Sequence, residues 1–437
     1  MHQSDGPSYR SQLATFEYMV IIVAAVFLFT ATHTRPKGDN DQSRLATVER
    51  LVHGGTFFIE DSCFETVDQV HVDGHFLSSK PPLLSTMMAG QYWLLYNVLG
   101  WDIRDEGESR AVIKILTLTF AGAPLIAFLL LLRVALNWFV ADGAARLVTL
   151  FAAAFCNHAM GMAIALNNHV FAATALFTAG LICLGLAHEK ITRRPLWYIV
   201  AGVATVTAIA IELSCVVFLP FFAVYLVRRT GLRMSWWFVV GMVPVAVIHL
   251  GLTRATLGNF LPAYVQPALY DYPGSYWLEP DDVNALAEPK HVYLFNMTFG
   301  WRGEFLLYPV LLIAAATAVM ALRKRDFPLR TEVLGVAAAV LVGMAILCIR
   351  TNNYAGASQG FRYFIYFTPI FLATMALGLE RVRHRWQWIV VALVLGASLG
   401  SAIESVRWPW SSKHSWIVRT IEGLGVDMAP EDNSDYE

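Results

Sequence analysis

Between positions 39 and 81 this sequence gathers the side chains best suited to chemistry. Asp41 and Arg44 are three residues apart in a helical pattern, so a carboxylate and a guanidinium share one face. Ser79-Lys80-Pro81-Pro82 places a lysine just ahead of a proline-initiated helix, and an ammonium beside unpaired backbone N–H groups is a competent anion site. Plainer roles exist for each: Asp41 as a helix cap, Arg44 as its partner or a headgroup's, Lys80 as a side chain reaching for the membrane interface. Glu212 falls between two apolar runs, where ionisable groups are functional candidates by default. Arg362 stands where the chain re-enters an apolar run, a position equally suited to an interfacial anchor. Asn167-Asn168-His169 and Asn352-Asn353-Tyr354 are polar turns, able to bind a substrate or simply to satisfy backbone groups. His53, His71 and His75 lack the tight spacing of metal ligands. The five cysteines form no CxxC pair and four lie in apolar runs, which argues against a disulfide framework or a zinc site. Asn296-Met297-Thr298 fits the N-glycosylation pattern, which is short enough to arise by chance.

Local patterns supply the elements that must hold these groups. From Asp41 to His53, Leu45, Val48, Leu51 and Val52 recur at helical spacing, with Asp39, Asn40 and Asp41 as cap acceptors and Gly54-Gly55 closing the far end. Val67 to Phe76 alternates apolar and polar residues around Asp73-Gly74, a hairpin signal. Pro82 to Gly100 is a moderately apolar helix whose Gln91, Tyr92, Trp93 and Tyr96 suit the headgroup region, so it is expected to lie at the interface rather than cross.

The rest of the chain is membrane. Of 437 residues, 56% are apolar and 15% charged, well below the roughly 25% charge of ordinary soluble domains. Apolar runs of about 17 to 25 residues are long enough for a hydrocarbon core of about 30 Å. Spans are expected from Tyr18 to Ala31 and at about 111–133, 145–165, 169–187, 196–211, 213–227, 235–253, 305–322, 332–349, 362–379 and 387–403, an all-α protein of about eleven helices. A signal peptide is the rival reading of the first run, but no A-x-A-like cleavage site follows it. Net charge is −1 and no basic domain stands apart, so no nucleic-acid partner is expected. Lys190/Arg193/Arg194, Arg228/Arg229/Arg233, Arg323/Lys324/Arg325/Arg330 and Arg381/Arg383/Arg385 mark cytoplasmic connections, and alternate connections are acidic or polar. Asp271, Glu279, Asp281, Asp282, Glu288 and Glu304 collect in the 254–304 loop. The long loops are therefore expected outside and the N-terminus inside.

"NDQSRLATVERLVHGGTFFI", "VDGHFLSSKPPLLS" and "YWLLYNVLG" together resemble the opening of the GT-C class of integral-membrane glycosyltransferases. In particular the chain resembles bacterial enzymes related to the aminoarabinose transferase of lipid A and to the protein O-mannosyltransferases. Agreement falls at Asp41, Arg44, Asp73-Gly74, Lys80-Pro81-Pro82-Leu83, Trp93 and Gly100, and more loosely at 299–312 and 360–372. The resemblance implies a single GT-C domain over 1–437, with an external catalytic loop and interfacial helix at 35–100, a second external loop at 254–304 and an external tail at 404–437. It further implies transfer of a sugar from a polyprenyl-phosphate donor to a lipid or envelope-glycan acceptor at the outer face of a bacterial inner membrane. Asp41 would be the catalytic base, and Lys80, Arg44 and Arg362 would neutralise the lipid phosphate. Asn168, His169, Glu212 and Tyr354 would be substrate-binding candidates. No cofactor is expected, with a divalent metal left open. One departure stands out: relatives commonly have a second acidic residue in the turn that here reads Leu166-Asn167-Asn168-His169, and often a Lys near Glu212. A transporter or lipid flippase is the alternative class, and a non-catalytic relative that binds a lipid-linked sugar is another. Transporters commonly show internal repeats, and none is visible here.

Overall fold

The computed structural model describes residues 7–280, 284, 288–351, 353–411 and 415–428. Asp281, Asp282, Asn352 and the ends of the C-terminal tail (412–414 and 429–437) lie outside the described residues. The chain is an all-α polytopic membrane protein. Helix α1 (Pro7–Ala31) leads into α2 (Asp39–His53), a hairpin of β1 (Gln69–Val72) and β2 (His75–Ser78), and α3 (Pro82–Leu99). The bundle continues through α4 (Glu106–Thr117), α5 (Ala123–Phe139), α6 (Gly143–Phe155), α7 (Ala159–Met162), α8 (His169–Ala187), α9 (Pro195–Ile211), α10 (Phe218–Thr230) and α11 (Leu232–Leu257). After a long loop come α12 (Lys290–Thr298), α13 (Glu304–Leu307), α14 (Leu311–Arg323), α15 (Arg330–Arg350), α16 (Thr368–Leu379), α17 (Arg385–Arg407) and α18 (Trp416–Glu422).

Among the described residues, seven helical stretches are long and apolar enough to cross a membrane, and four shorter apolar helices accompany them. All fall where the apolar runs predict. Helix α3 is not among them, in keeping with its polar positions. Several spans expected to be continuous are broken. The 145–165 run splits after Phe155, where the Asn157 amide donates to the carbonyls of Ala152 and Ala153 at 2.9 and 2.8 Å and so ends α6. The 305–322 run breaks at Tyr308-Pro309 between α13 and α14, and the 362–379 run begins with one tight turn, Arg362–Phe364, before α16. Irregular backbone inside an apolar bundle is tolerated where protein groups take over its hydrogen bonds. Each of these breaks carries buried polar residues: Asn157 and His158, Glu304, and Arg362.

Helices α8, α9 and α11 pack in succession. Contact between α9 and α11 depends on small residues, since a Cβ at Gly202 would overlap the Phe238 carbonyl and one at Gly241 the Ile199 carbonyl. In the first long loop the hairpin forms as the sequence predicts. Asp73 and Gly74 both take positive φ (50° and 90°), the geometry that matches strand twist, and Val72 pairs with His75. The cap of α2 differs from expectation: Gly38 is the N-cap, without a side-chain hydrogen bond, and Asp41 reaches back to accept from the Lys37 N–H at 3.0 Å. Asp39 instead fastens the helix to the loop, accepting from the Val67 N–H at 3.0 Å. Gly55, with φ 63°, closes the far end.

Candidate active site

Asp41 and Arg44 project from the buried face of α2. They do share a face but form no ion pair with each other. Arg44 donates to the side-chain and backbone oxygens of Asn40, and its other terminal nitrogen donates to Asn168 Oδ1 at 2.6 Å. All three acceptors are neutral, so they fix the guanidinium without cancelling its charge. Asp41 is buried and its Oδ1 has no hydrogen-bond partner in the protein. Burial lifts its carboxyl to about 7, against the pull of the Lys37 N–H and the nearby Arg44 and Arg362. Desolvation thus outweighs two cations, which leaves an acid–base group poised near neutrality. The Trp410 indole lies beside the carboxyl and also under the Arg362 guanidinium, 4.4 Å from its carbon.

Arg362 is likewise held by neutral groups. It donates to the Ala355 carbonyl, stacks on Trp410 and leaves Nε unused. Lys80 departs from expectation. Rather than facing free N–H groups at the start of α3, which Pro81 and Pro82 cannot provide, its ammonium pairs with Asp68 at 2.6 Å. Burial lowers its affinity for the proton and Asp68 restores part of it. Asp68 sits just before β1, so the hairpin aims it at the lysine.

The turn before α8 joins this group from the other side. Asn168 links Arg44 to the next carboxylate, since its amide nitrogen donates to the Ile211 carbonyl at 3.1 Å and to Glu212 Oε1. His169 Nδ1 lies 2.9 Å from the same Glu212 oxygen. The contact is close but poorly aligned for a hydrogen bond. Glu212 therefore brings a carboxylate, from the end of α9, to the turn that lacks one of its own. Tyr354 does not join. Its hydroxyl donates to Glu288 and its ring packs on Tyr293 and Trp301, while the next residue, Ala355, is the one that holds Arg362.

The structure thus brings together Asp41, Arg44, Lys80, Asn168, His169, Glu212 and Arg362, from five separate segments. It adds three residues that sequence reasoning missed: Asn40, Asp68 and Trp410. Asp68 offered only the weak signal of an acid beside a hairpin strand. Trp410 carries no local signal that sets it apart from the other tryptophans of the chain. A narrow cleft runs from Ser79, Lys80 and Pro81 along Ser85 of α3 to His249, Thr253 and Leu257 of α11, with Tyr264 at its side. Among the described residues no cluster of three His, Cys, Asp or Glu side chains could hold a metal ion.

No family model matches the chain, and no curated protein matches it. Solved structures do. Crystal structures of ArnT from Cupriavidus metallidurans, one in the apo state and one bound to undecaprenyl phosphate, align with TM-scores of 0.56 and 0.54 at 16% and 15% identity. Each alignment covers 88% of this chain and 63% of ArnT, so the chain spans under two thirds of that protein's length. The fold is GT-C-like.

Proposed function

We propose that the protein is a membrane glycosyltransferase that moves a sugar from a polyprenyl-phosphate donor to a lipid or envelope-glycan acceptor at the outer face of a bacterial inner membrane. The observation that carries this reading is the pair Arg44 and Arg362: two buried guanidiniums, hydrogen-bonded to neutral oxygens, near a buried carboxyl one of whose oxygens has no hydrogen-bond partner. Cations held in place in low dielectric stabilise an anion without reorganising. The ArnT structure bound to undecaprenyl phosphate supports a lipid phosphate as that anion. The cleft that runs from Lys80 along α11 supports the same reading, since a phosphate at the lysine would leave a prenyl chain to lie against the helix.

In the reaction Asp41 takes the proton of the acceptor nucleophile as the new bond to the anomeric carbon forms. The bond from that carbon to the phosphate oxygen breaks, and the departing phosphate keeps the electron pair. Arg44 and Arg362 meet the charge that develops on its oxygens, and Lys80 joins them by exchanging Asp68 for the phosphate. General-base assistance of this kind is worth about 10²–10⁴-fold. Glu212, Asn168 and His169 complete the site, and Tyr354 acts only through the loop that presents Ala355. The charged groups converge at one end of the bundle, where α1 and α9 finish and α8 and α16 begin, rather than at its middle. That placement favours an interfacial enzyme over a transporter. The decisive test compares envelope lipids and glycans by mass spectrometry in cells with the wild-type chain and with Asp41→Asn. Wild type is expected to add a glycan species that the variant lacks, with the variant still folded and still binding lipid phosphate. Normal transfer by Asp41→Asn would overturn the assigned role.

A further inference from the structure

Resting on that reading of the site, we infer that His169, held in place by Glu212, recognises the sugar of the donor and not its phosphate. His169 is 3% exposed, and its Nε2 has no hydrogen-bond partner in the protein. The start of α8 fixes the residue, because its backbone N–H donates to Asn167 Oδ1 at 2.9 Å. Its Nδ1 lies 2.9 Å from Glu212 Oε1. A carboxylate oxygen at that distance favours the tautomer that carries its proton on Nδ1, even though the contact is not aligned as a hydrogen bond. The neutral ring then presents a lone pair at Nε2, which suits a group that donates.

That chemistry separates the two halves of a lipid-phosphate sugar. Phosphate oxygens at neutral pH are acceptors and gain nothing from a lone pair, whereas a sugar hydroxyl donates to it. Arg44, which Asn168 holds through its amide oxygen while its nitrogen faces Glu212, takes the phosphate instead. Glu212 is a positioning residue, with one oxygen holding both the ring and Asn168. A site that hydrogen-bonds a substrate hydroxyl discriminates strongly against a ligand without it, because its own polar atom is then left unpaired.

The test measures binding of full-length wild type, His169→Phe, Glu212→Leu and Glu212→Gln in lipid nanodiscs. The probes are undecaprenyl phosphate and undecaprenyl phosphates carrying glucose, mannose or 4-amino-4-deoxyarabinose. Wild type is expected to bind at least one sugar-bearing probe tighter than the bare lipid. His169→Phe should erase that preference, about tenfold or more, and leave bare-lipid affinity within twofold, which also shows that it is folded. Glu212→Leu should erase the preference and weaken bare-lipid binding as well, because Asn168 links Glu212 to Arg44. Glu212→Gln, which keeps an oxygen for Asn168 and the ring, should retain part of both. Equal losses on all probes, or a preference that survives in His169→Phe, would overturn the inference while leaving the phosphate site standing. A wild-type chain that binds none of the probes would overturn the underlying function and this inference with it.

Discussion

Asp41 shows how burial can make an ordinary residue useful. A carboxyl lifted to about 7 is half ionised at neutral pH, and each pKa unit corresponds to about 1.4 kcal/mol between the two forms. If Asp41 is the base, transfer should rise with pH along a limb centred near 7 and then level off. A flat profile from pH 5 to 9 would remove it from that role. Stability should move the opposite way. A group whose folded pKa is raised stabilises most below its unfolded value near 4, and that contribution is lost as pH rises through 7. Asp41→Asn should therefore gain melting temperature relative to wild type between pH 4 and 7, with no further gain above. The sequence singled out Asp41, Arg44, Lys80 and Arg362 by type and position. It could not show that Lys80 already has Asp68 as a partner, or that Arg44 has only amides, because those partners come from residues 12 to 124 positions away or in another turn of the same helix.

At the level of elements, the hairpin and α2 were readable because their signals are local: a Asp-Gly turn between alternating residues, and an apolar stripe ended by glycines. The break at Asn157 was not, because only its buried amide, donating to the Ala152 and Ala153 carbonyls, decides that the helix stops. Pro309, which has no N–H to give, is by contrast a local signal for a break. The α9–α11 contact makes a prediction of its own. Gly202→Leu or Gly241→Leu would force the two backbones apart, at a cost of about 1–3 kcal/mol or more. Because α9 delivers Ile211 and Glu212 to Asn168, these variants should also lose donor binding. Gly251→Leu on α11, where a Cβ meets nothing within 4 Å, should leave both melting temperature and binding unchanged. Equal behaviour of Gly202→Leu and Gly251→Leu would show that close packing does not position the site.

For the whole molecule, the proposed orientation puts the loop after α1 outside. Cys63 tests it, as the one exposed thiol among the five cysteines. Burial around the sulfur and the charge of Glu49 raise its pKa to about 11, so it should react slowly, but it should react with a membrane-impermeant maleimide in intact cells. Labelling only after permeabilisation, or labelling that persists in Cys63→Ser, would reverse or void the assignment. Sequence by itself determined the solvent of this protein and the positions of its spans, because hydrophobic runs and basic clusters are properties of short windows. It also located the loop that the proposed reaction uses. Only the tertiary structure decided how the turn without a carboxylate acquires one. Glu212, forty-odd residues later, reaches it because α8 and α9 pack side by side and end at the same level. Which charges meet in a membrane bundle depends on helix packing and depth, and neither is encoded in any single stretch of residues.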